Sequence, residues 1–347
     1  MAEQHIVGCI LGTAVGDAIG LPYEGISRNR VNKLIGEHLK HRLVFGYGMI
    51  SDDTEHTVMV AQSLLEANRD TEIFQARLAK RLRYWFLALP AGIGFATLRA
   101  IIRLWLGFQP KNSGVYSAGN GPAMRSAILG TAITDLEQLK LFVKASTLIT
   151  HTDPKAEYGA LAVALAAFYV SNNSRCTAEG YFQLLNEHLP VEAKELFLLI
   201  KNAISSVKNR ETTQEFAVSL SLSKGVTGYI YHTVPVAIHA WLSHSGNFEA
   251  AVTSVVRCGG DTDTVAAIVG GIVGAAVGKA GIPEKWLDGI CDWPISINKI
   301  EEVAGQLSSK KESSKPAKIS FFFSMLRNIV FMMVILVHGL RRLLPPY

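Results

Sequence analysis

The chain has 347 residues, 49% of them hydrophobic, so it can bury a large core and is not disordered throughout. Its formal net charge of +5 lies at one end: residues 308–347 carry seven Lys or Arg against one acid, which leaves −1 for residues 1–307. A near-neutral body gives no electrostatic case for nucleic-acid binding. Four scattered cysteines without a CxxC pair are typical of reduced thiols in a cytosol.

The first predicted helix is the apolar segment "MAEQHIVGCILGTAVGDAIG", which lacks a basic leading region and is not expected to be a signal peptide. Further helices are predicted from apolar residues at helical spacing in "TEHTVMVAQSLLEA", "EYGALAVALAAFYV" and "EAKELFLLIKNAI". Gly and Pro fall between these segments, and strand alternation is scarce. The sequence therefore predicts an all-α orthogonal helical bundle with its chemistry on the loops.

Two clusters of hydroxyl and carboxylate side chains open predicted helices. They consist of Ser51, Asp52 and Asp53 in the first third of the chain and of Asp261, Asp263 and Thr264 near its end. Ordinary helix capping is one explanation, because Asp, Ser and Thr are common N-cap residues. Unpaired carboxylates at the edge of a core are costly, however, and oxygen ligands favour hard cations such as Mg²⁺ or Mn²⁺. We therefore expect the clusters to converge on one or two divalent cations.

The C-terminal end divides into a Ser/Lys segment, residues 308–318, and a hydrophobic segment, residues 319–342. The first is expected to be a flexible linker, and the second is predicted to be a membrane anchor because it is long enough to span a bilayer. Arg327 and Asn328 interrupt it, and an arginine near mid-membrane costs about 2.5–3.5 kcal/mol on insertion scales. An amphipathic interfacial anchor, or a helix docked on the body or a second subunit, therefore stays open. Residues 265–278 are too short to span and predict a buried helix.

Six motifs follow one another along the chain: "GTAVGDAIGLPYEG", "SDDTEHT", "GNGPAMR", "THTDPKAEYGA", "GYIYHTVP" and "CGGDTDTVAAIVGGIVGA". Together, over residues 6–295, they resemble the ADP-ribosylglycohydrolase family, the group that contains dinitrogenase reductase-activating glycohydrolase. The resemblance implies a catalytic domain over residues 1–307 with a cleft that holds two divalent cations, Mg²⁺ or Mn²⁺. It implies metal ligands at all six positions of the two clusters, with Ser51 where the family usually has Thr.

The resemblance also implies catalytic and substrate-binding residues. Glu24 and Asp53 are the candidate catalytic carboxylates, either of which would accept a proton from water. The substrate-binding candidates are Ser117, Gly119, Asn120, Gly121, His151 and Tyr229. The glycine turn offers backbone N–H groups to a diphosphate, although it also fits a helix-starting turn before Pro122. Tyr229 fits a ligand-stacking position or a core position, and Asp17 is expected to cap or bridge near the site.

The implied function is metal-dependent hydrolysis of the N- or O-glycosidic bond between ADP-ribose and an acceptor. The expected partner is an ADP-ribosylated protein, with arginine as the leading acceptor and serine-linked, O-acetylated or nucleic-acid-linked ADP-ribose as alternatives. The expected location is a cytoplasmic catalytic domain held at a membrane by its tail. Two other classes stay open: a non-catalytic ADP-ribose-binding protein, and a membrane scaffold whose functional part is the tail.

Overall fold

A computed structural model describes residues 2–173, 175–309 and 315–342. Within these ranges β pairing is limited to isolated bridges, so the all-α prediction is confirmed. The α-helices are α1 Ala2–Gly20, α2 Arg28–Ile35, α3 Asp52–Ala67, α4 Thr71–Leu87, α5 Phe95–Trp105, α6 Gly121–Met124, α7 Ala127–Ala132, α8 Leu136–Leu148, α9 Pro154–Asn172, α10 Ala178–His188, α11 Lys194–Lys208, α12 Thr213–Ser219, α13 Ile230–Ser243, α14 Phe248–Val256, α15 Thr262–Val277, α16 Glu284–Leu287, α17 Ile297–Ser308 and α18 Phe321–Arg341. Short 3₁₀ helices cover Leu21–Tyr23, Pro110–Asn112, Val191–Ala193 and Lys279–Gly281.

The centre of the bundle is a close antiparallel pair of helices rich in small residues, α1 and α15. A methyl group at Gly12 of α1 would lie only 2.1 Å from the carbonyl oxygen of Gly270, and one at Gly16 would clash in the same way. The two backbones approach this closely because these positions carry no side chain. The pairing brings the end of α1 beside the start of α15, where the Thr262 hydroxyl donates to the Gly20 carbonyl over 2.8 Å.

Helices α3, α7, α9, α13, α14 and α17 pack around this central pair and share one continuous apolar core. Helix α15 is buried along nearly its whole length, which confirms the buried helix predicted for residues 265–278. Its small residues lose little side-chain entropy on burial, so the central position suits them. The central pair thereby fixes where the start of α15 lies relative to α1 and α3.

The C-terminal segment packs against the body. Residues 315–320 have no regular secondary structure, and the Ala317 carbonyl accepts a hydrogen bond from the Gln62 side chain over 2.8 Å. The part of the predicted flexible linker at residues 310–314 lies outside the described residues. Helix α18 then follows the body surface with Arg327, Asn328 and Phe331 buried. Docking on the body was one of the alternatives that the sequence left open for this helix.

Two helical segments of the described residues are long and apolar enough to cross a membrane, Glu3–Tyr23 and Phe321–Arg341. The first is 94% buried inside the protein and is a core helix, whereas the second is only 17% buried. Length and hydropathy are weak grounds for a membrane span, since core helices meet the same criteria. A membrane-anchoring tail, and with it the division into residues 1–307 and 319–342, stays a prediction.

Candidate active site

A cleft of about 600 Å³ opens where the N-terminal ends of α3 and α15 meet. The sequence-predicted residues that line it are Glu24, Ser51, Asp52, Ser117, Gly119, Asn120, Gly121, His151, Asp261, Asp263 and Thr264. Loops supply most of its walls, and α18 closes one side. Both oxygen clusters and the glycine turn therefore meet at one cavity.

The start of α3 is fixed by hydrogen bonds from two directions. Ser51 is its N-cap residue: the hydroxyl accepts from the Asp53 N–H over 3.3 Å and donates to the Asp53 carboxylate over 3.1 Å. Asp17 of α1, fully buried, accepts from the Ser51 N–H over 2.8 Å and from the Thr54 hydroxyl over 2.5 Å. Asp17 thus bridges α1 to the first turn of α3. This bridge holds Asp52 and Asp53 at the positive end of the helix dipole.

The start of α15 is built differently. Gly259 and Gly260 have φ values of 73° and 83°, a left-handed backbone that favours glycine before Asp261. Asp261 occupies the N-cap position but makes no capping hydrogen bond. Its carboxylate accepts instead from the Asn120 side-chain amide over 2.6 Å. Ordinary helix capping therefore does not explain this carboxylate.

The two oxygen clusters are in direct contact at the base of the cleft. The Thr264 hydroxyl donates to the Asp53 carboxylate over 3.3 Å. The Oδ1 atoms of Asp53 and Asp263 are buried and have no hydrogen-bond partner within the described residues. A buried carboxylate oxygen without a donor is costly unless a proton or a cation satisfies it.

The electrostatics of the cleft are those of crowded carboxylates. Burial, followed by the negative charge of Asp17, raises the pKa of both Asp52 and Asp53 well above the usual range. Burial, followed by the charge of Glu24, does the same to the pKa of Asp263. Such groups are ionised at neutral pH when positive charge is bound among them.

The donor atoms suit a hard divalent cation, because they are carboxylate and hydroxyl oxygens. Among the described residues, no group of three or more Asp, Glu, His or Cys side chains forms a ready-made ion site on its own. Hydroxyl oxygens and water would have to complete any coordination sphere, which is usual for Mg²⁺. The residues at the two helix starts thus fit a cation that keeps several water ligands.

The two catalytic candidates differ in their access to the cleft. Glu24 is exposed at the mouth, and backbone pairing of its loop with Gly260 places it near Asp261. Its pKa is raised by desolvation in the cleft and then by the charge of Asp261, while Arg342 opposes the shift. Asp53 is 1% exposed and lies beneath the cleft surface. The geometry therefore suits Glu24 to proton transfer with water and Asp53 to a buried ligand position.

The glycine turn is held by its own hydrogen bonds. The Gly119 N–H donates to the Ser117 hydroxyl over 3.3 Å, and the Asn120 N–H donates to the Gly228 carbonyl over 3.0 Å. Both amides are thus engaged within the protein rather than pointing freely at a ligand. The diphosphate contact predicted for this turn stays a prediction.

His151 lies directly behind the glycine turn and is buried. Its Nδ1 is 2.9 Å from the Thr150 hydroxyl, and a methyl group at Gly119 would lie 3.0 Å from its Nε2. Burial, followed by the charge of Arg125, lowers the pKa of His151 to about 3, so the imidazole is neutral. Arg125, itself fully buried, donates to the Gly121 carbonyl over 3.1 Å and supports the turn from below.

Tyr229 is not among the residues that line the cleft. Its hydroxyl accepts a hydrogen bond from Lys155 over 2.9 Å, and its backbone pairs with Gly119. These contacts give it a part in holding the glycine turn. The ligand-stacking role that the sequence suggested for it is not supported by any contact here and stays a prediction.

Some residues of the cleft wall were not predicted from the sequence. They are residues 91, 92 and 94–97, residues 226–228, and Phe331 and Ile335 of α18. The sequence did carry a signal that α18 packs against other residues, because a charged and an amide residue inside an apolar run need polar partners. In the structure Arg327 pairs with Asp292 over 2.6 Å, and Asn328 donates to the Ala88 carbonyl over 2.9 Å.

The helical bundle with a carboxylate-lined cleft between helix starts is that of a glycosidic-bond hydrolase. The family model for ADP-ribosylglycohydrolase matches residues 2–317, and the chain belongs to this family. An uncharacterized protein of Archaeoglobus fulgidus is 35% identical over 88% of this chain and 96% of its own length. ADP-ribosylarginine hydrolase Tri1 of Serratia proteamaculans is 28% identical over 86% of this chain and 78% of its own length.

A solved structure described as an ADP-ribosylglycohydrolase-related protein complex superposes with a TM-score of 0.63. The match covers 89% of this chain and 98% of the chain in that structure, at 24% sequence identity. A likeness at that identity concerns the fold, and it agrees with the orthogonal helical bundle described above.

Proposed function

We propose that this protein hydrolyses the glycosidic bond between ADP-ribose and a modified acceptor, and so reverses ADP-ribosylation. The observation that carries the proposal is the direct contact between two oxygen clusters, from distant parts of the chain, at the base of one cleft. A cavity of about 600 Å³ is large enough for a nucleotide-sized ligand. Membership of the family supports the same activity.

The cofactors we propose are two divalent cations, Mg²⁺ or Mn²⁺. The residues that would hold them are Ser51, Asp52, Asp53, Asp261, Asp263 and Thr264. When bound, the cations would supply charge stabilisation and orientation of the ribose hydroxyls. The raised pKa values of Asp53 and Asp263 and their partnerless oxygens support this proposal, because bound positive charge relieves both.

The side chains of the cleft would divide the remaining work. Glu24 accepts a proton from the attacking water at the mouth of the cleft. Asn120 keeps the carboxylate of Asp261 in one orientation, and Asp17 fixes the first turn of α3 so that Asp52 faces the cavity. The carboxylates around the ribose stabilise the oxocarbenium character that develops as the glycosidic bond breaks.

The acceptor we propose is a protein arginine. Its support is the relative Tri1, an ADP-ribosylarginine hydrolase at 28% identity. Serine-linked, O-acetylated and nucleic-acid-linked ADP-ribose are the alternatives to compare in the same assay. We further propose a cytoplasmic location for residues 1–307, supported by the four unpaired cysteines, with the tail at a membrane.

The test is release of ADP-ribose from an arginine-ADP-ribosylated protein by the full chain in mild detergent, with Mg²⁺, with Mn²⁺ and with EDTA. We expect metal-dependent release that is lost in the Asp261→Asn, Asp263→Asn double variant. The matched control is Asp135→Asn, which changes an exposed carboxylate at the start of α8 and should keep full activity. Tight ADP-ribose binding without release from any of the four linkages would instead indicate a non-catalytic binding protein.

A further inference from the structure

Helix α18 has two faces of different chemistry. The side against the body carries Arg327, Asn328 and Phe331, which are buried, and His338, whose ring lies 3.0 Å from the Pro22 carbonyl. The outward side is apolar along the helix. Its residues that are more than half exposed are Phe322, Phe323, Met333, Leu336, Val337 and Leu340. A continuous exposed apolar surface of this length marks an interaction site.

A buried ion pair fixes the orientation of the helix. The Arg327 guanidinium donates to both carboxylate oxygens of Asp292, over 2.6 and 3.0 Å, and to the Ile50 carbonyl over 2.5 Å. Asn328 donates to the Ala88 carbonyl on the other side. A bidentate pair with further hydrogen bonds is a strong and directional contact. It holds the apolar face away from the body.

Two turns of the body present apolar tips beside α18. Phe45 is fully exposed at φ 49°, and Leu89 is 58% exposed at φ 59°. A left-handed backbone is unfavourable for such bulky residues, and strain of this kind is often kept for an interaction. Val44 and Ala91, next to these tips, belong to the same apolar cluster as Phe331. Chain neighbours of both tips thus pack in the same cluster as α18.

Basic residues lie at both ends of the apolar face. Lys315 and Lys318 precede α18 and are exposed, and Arg341 is its last residue. Residues 308–347 together carry a net charge of +6. Two copies of such a surface would repel each other, whereas an anionic lipid surface would attract it. The charge pattern thus favours lipid over a second copy of the chain.

We propose that α18, together with Phe45 and Leu89, docks flat on an anionic lipid bilayer and does not span it. Spanning would move Arg327 into the hydrocarbon and leave the buried Asp292 carboxylate unpaired. A helix that lies in the interface keeps this ion pair and buries its outward face among the lipids.

In-plane docking places the cleft at the membrane surface. Phe331 and Ile335 line the cleft from the body side of the same helix. The cleft wall is therefore separated from the lipid by one helix diameter, about 10 Å. On the proposed hydrolase function, on which this step rests, the substrates are ADP-ribose groups displayed close to a membrane surface.

The first test is flotation of the full chain with lipid vesicles after removal of detergent. We expect binding to vesicles of phosphatidylcholine with phosphatidylglycerol, and weaker binding to phosphatidylcholine alone. Phe45→Glu and Met333→Glu should each reduce binding about tenfold or more, because a charge then enters the interface. The matched control, Val191→Glu, changes an exposed apolar residue before α11 and should bind like the wild type.

The second test measures depth. The chain carries Cys176→Ser and Cys291→Ser together with one of Phe323→Cys, Val330→Cys or Val337→Cys. A fluorophore on the new thiol is quenched by nitroxides at different lipid depths. In-plane docking predicts the same shallow depth at all three positions. A label at position 330 deep in the bilayer, with the other two shallow, would overturn the proposal in favour of a span. A dimer without lipid binding, disrupted by Met333→Glu, would overturn it in favour of a second copy.

These outcomes are separable from the hydrolase proposal. Release of ADP-ribose from a soluble substrate is measured on the same preparations, and Phe45→Glu should leave it unchanged. If the wild-type chain has full activity but does not bind the vesicles, the lipid proposal alone is overturned. Binding without activity would leave in-plane docking standing and overturn the proposed function.

Discussion

Glu24 and Asp53 are both acidic residues near the helix starts, and their surroundings differ. The Glu24 side chain is exposed to the cleft, whereas Asp53 is buried and already accepts from the Ser51 and Thr264 hydroxyls. A proton acceptor must lie within hydrogen-bond reach of the water that it deprotonates, and Asp53 does not line the cleft. At the residue scale we therefore propose Glu24 as the proton acceptor and Asp53 as a buried ligand, two roles that the sequence left shared between these carboxylates.

The first prediction concerns Glu24→Gln. We expect kcat to fall about 10²- to 10⁴-fold, because a general base is lost, while ADP-ribose affinity and thermal stability change little. The raised pKa of Glu24 predicts an acidic limb in the pH–rate profile above the ordinary glutamate range. The matched control is Glu37→Gln, an exposed residue after α2. Wild-type kcat in Glu24→Gln would assign the base elsewhere.

The second prediction concerns pH and the carboxylates of the cleft. The folded pKa values of Asp52, Asp53 and Asp263 lie well above the unfolded value of 3.8, so between these limits the folded state binds more protons. The free energy of unfolding of the metal-free protein, measured in EDTA, therefore falls as pH rises through that window. His151, with its pKa lowered to about 3 from 6.5, acts in the opposite direction below pH 6.5.

Thermal unfolding in EDTA across this pH range measures the effect. Mg²⁺ should remove most of the pH dependence and stabilise the protein by about 2.7 kcal/mol for each bound cation at a hundredfold excess over the Kd. Asp53→Asn should flatten the pH profile in EDTA, because one carboxylate with a raised pKa has been removed. If the pH profile of stability is the same in Mg²⁺ as in EDTA, that result argues against cation binding among these residues.

At the scale of elements, the contact between α1 and α15 sets the geometry of the site. It places Asp17 of α1 within reach of the first turn of α3 and puts Asp263 at the same end of the bundle. Helix α18 adds a second constraint from outside, since Arg327 binds the carbonyl of Ile50, the residue before Ser51. The tail helix thus contacts the same loop that carries one of the oxygen clusters.

The third prediction tests the helix pair. Gly12→Ala places a methyl group 2.1 Å from the Gly270 carbonyl, so α1 and α15 must separate, at a cost of about 1–3 kcal/mol of unfolding free energy. Activity should fall as well, because the start of α15 shifts. Gly305→Ala in α17 meets no atom of the described residues within 4 Å and should be neutral or stabilising by up to about 1 kcal/mol. Chemical denaturation of both variants makes the comparison, and equal stability would argue against close packing as the determinant.

At the scale of the whole molecule, the sequence predicted the helical class and the meeting of Ser51–Asp53 with Asp261–Thr264. Both rest on local patterns, namely helical spacing and helix-start chemistry, together with motifs in family order. The placement of Tyr229 and of α18 depends on tertiary contacts that leave no periodic pattern. Tyr229 is turned toward Lys155, and α18 is docked through one buried arginine.

Arg327 shows how a local conflict carries tertiary information. Its cost inside an apolar run was visible in the sequence, but its partner Asp292 lies 35 residues earlier in a loop with no distinguishing pattern. Only the fold brings the two together. The apolar character of the tail, taken alone, favoured a span and gave no hint that Phe331 lines the cleft.

The central claim is that residues at the starts of α3 and α15 jointly bind divalent cations. The most direct measurement is isothermal titration calorimetry, in which Mn²⁺ is added to the full chain after EDTA has removed bound metal and has itself been removed. The same titration is made on Asp53→Asn, on the Asp261→Asn, Asp263→Asn double variant, and on Asp135→Asn. We predict two ions per wild-type and Asp135→Asn chain, and weakened binding when either helix start is changed. Mn²⁺ binding that is unchanged in both the Asp53→Asn and the double variant would contradict the claim. So would the absence of Mn²⁺ binding to the folded wild type.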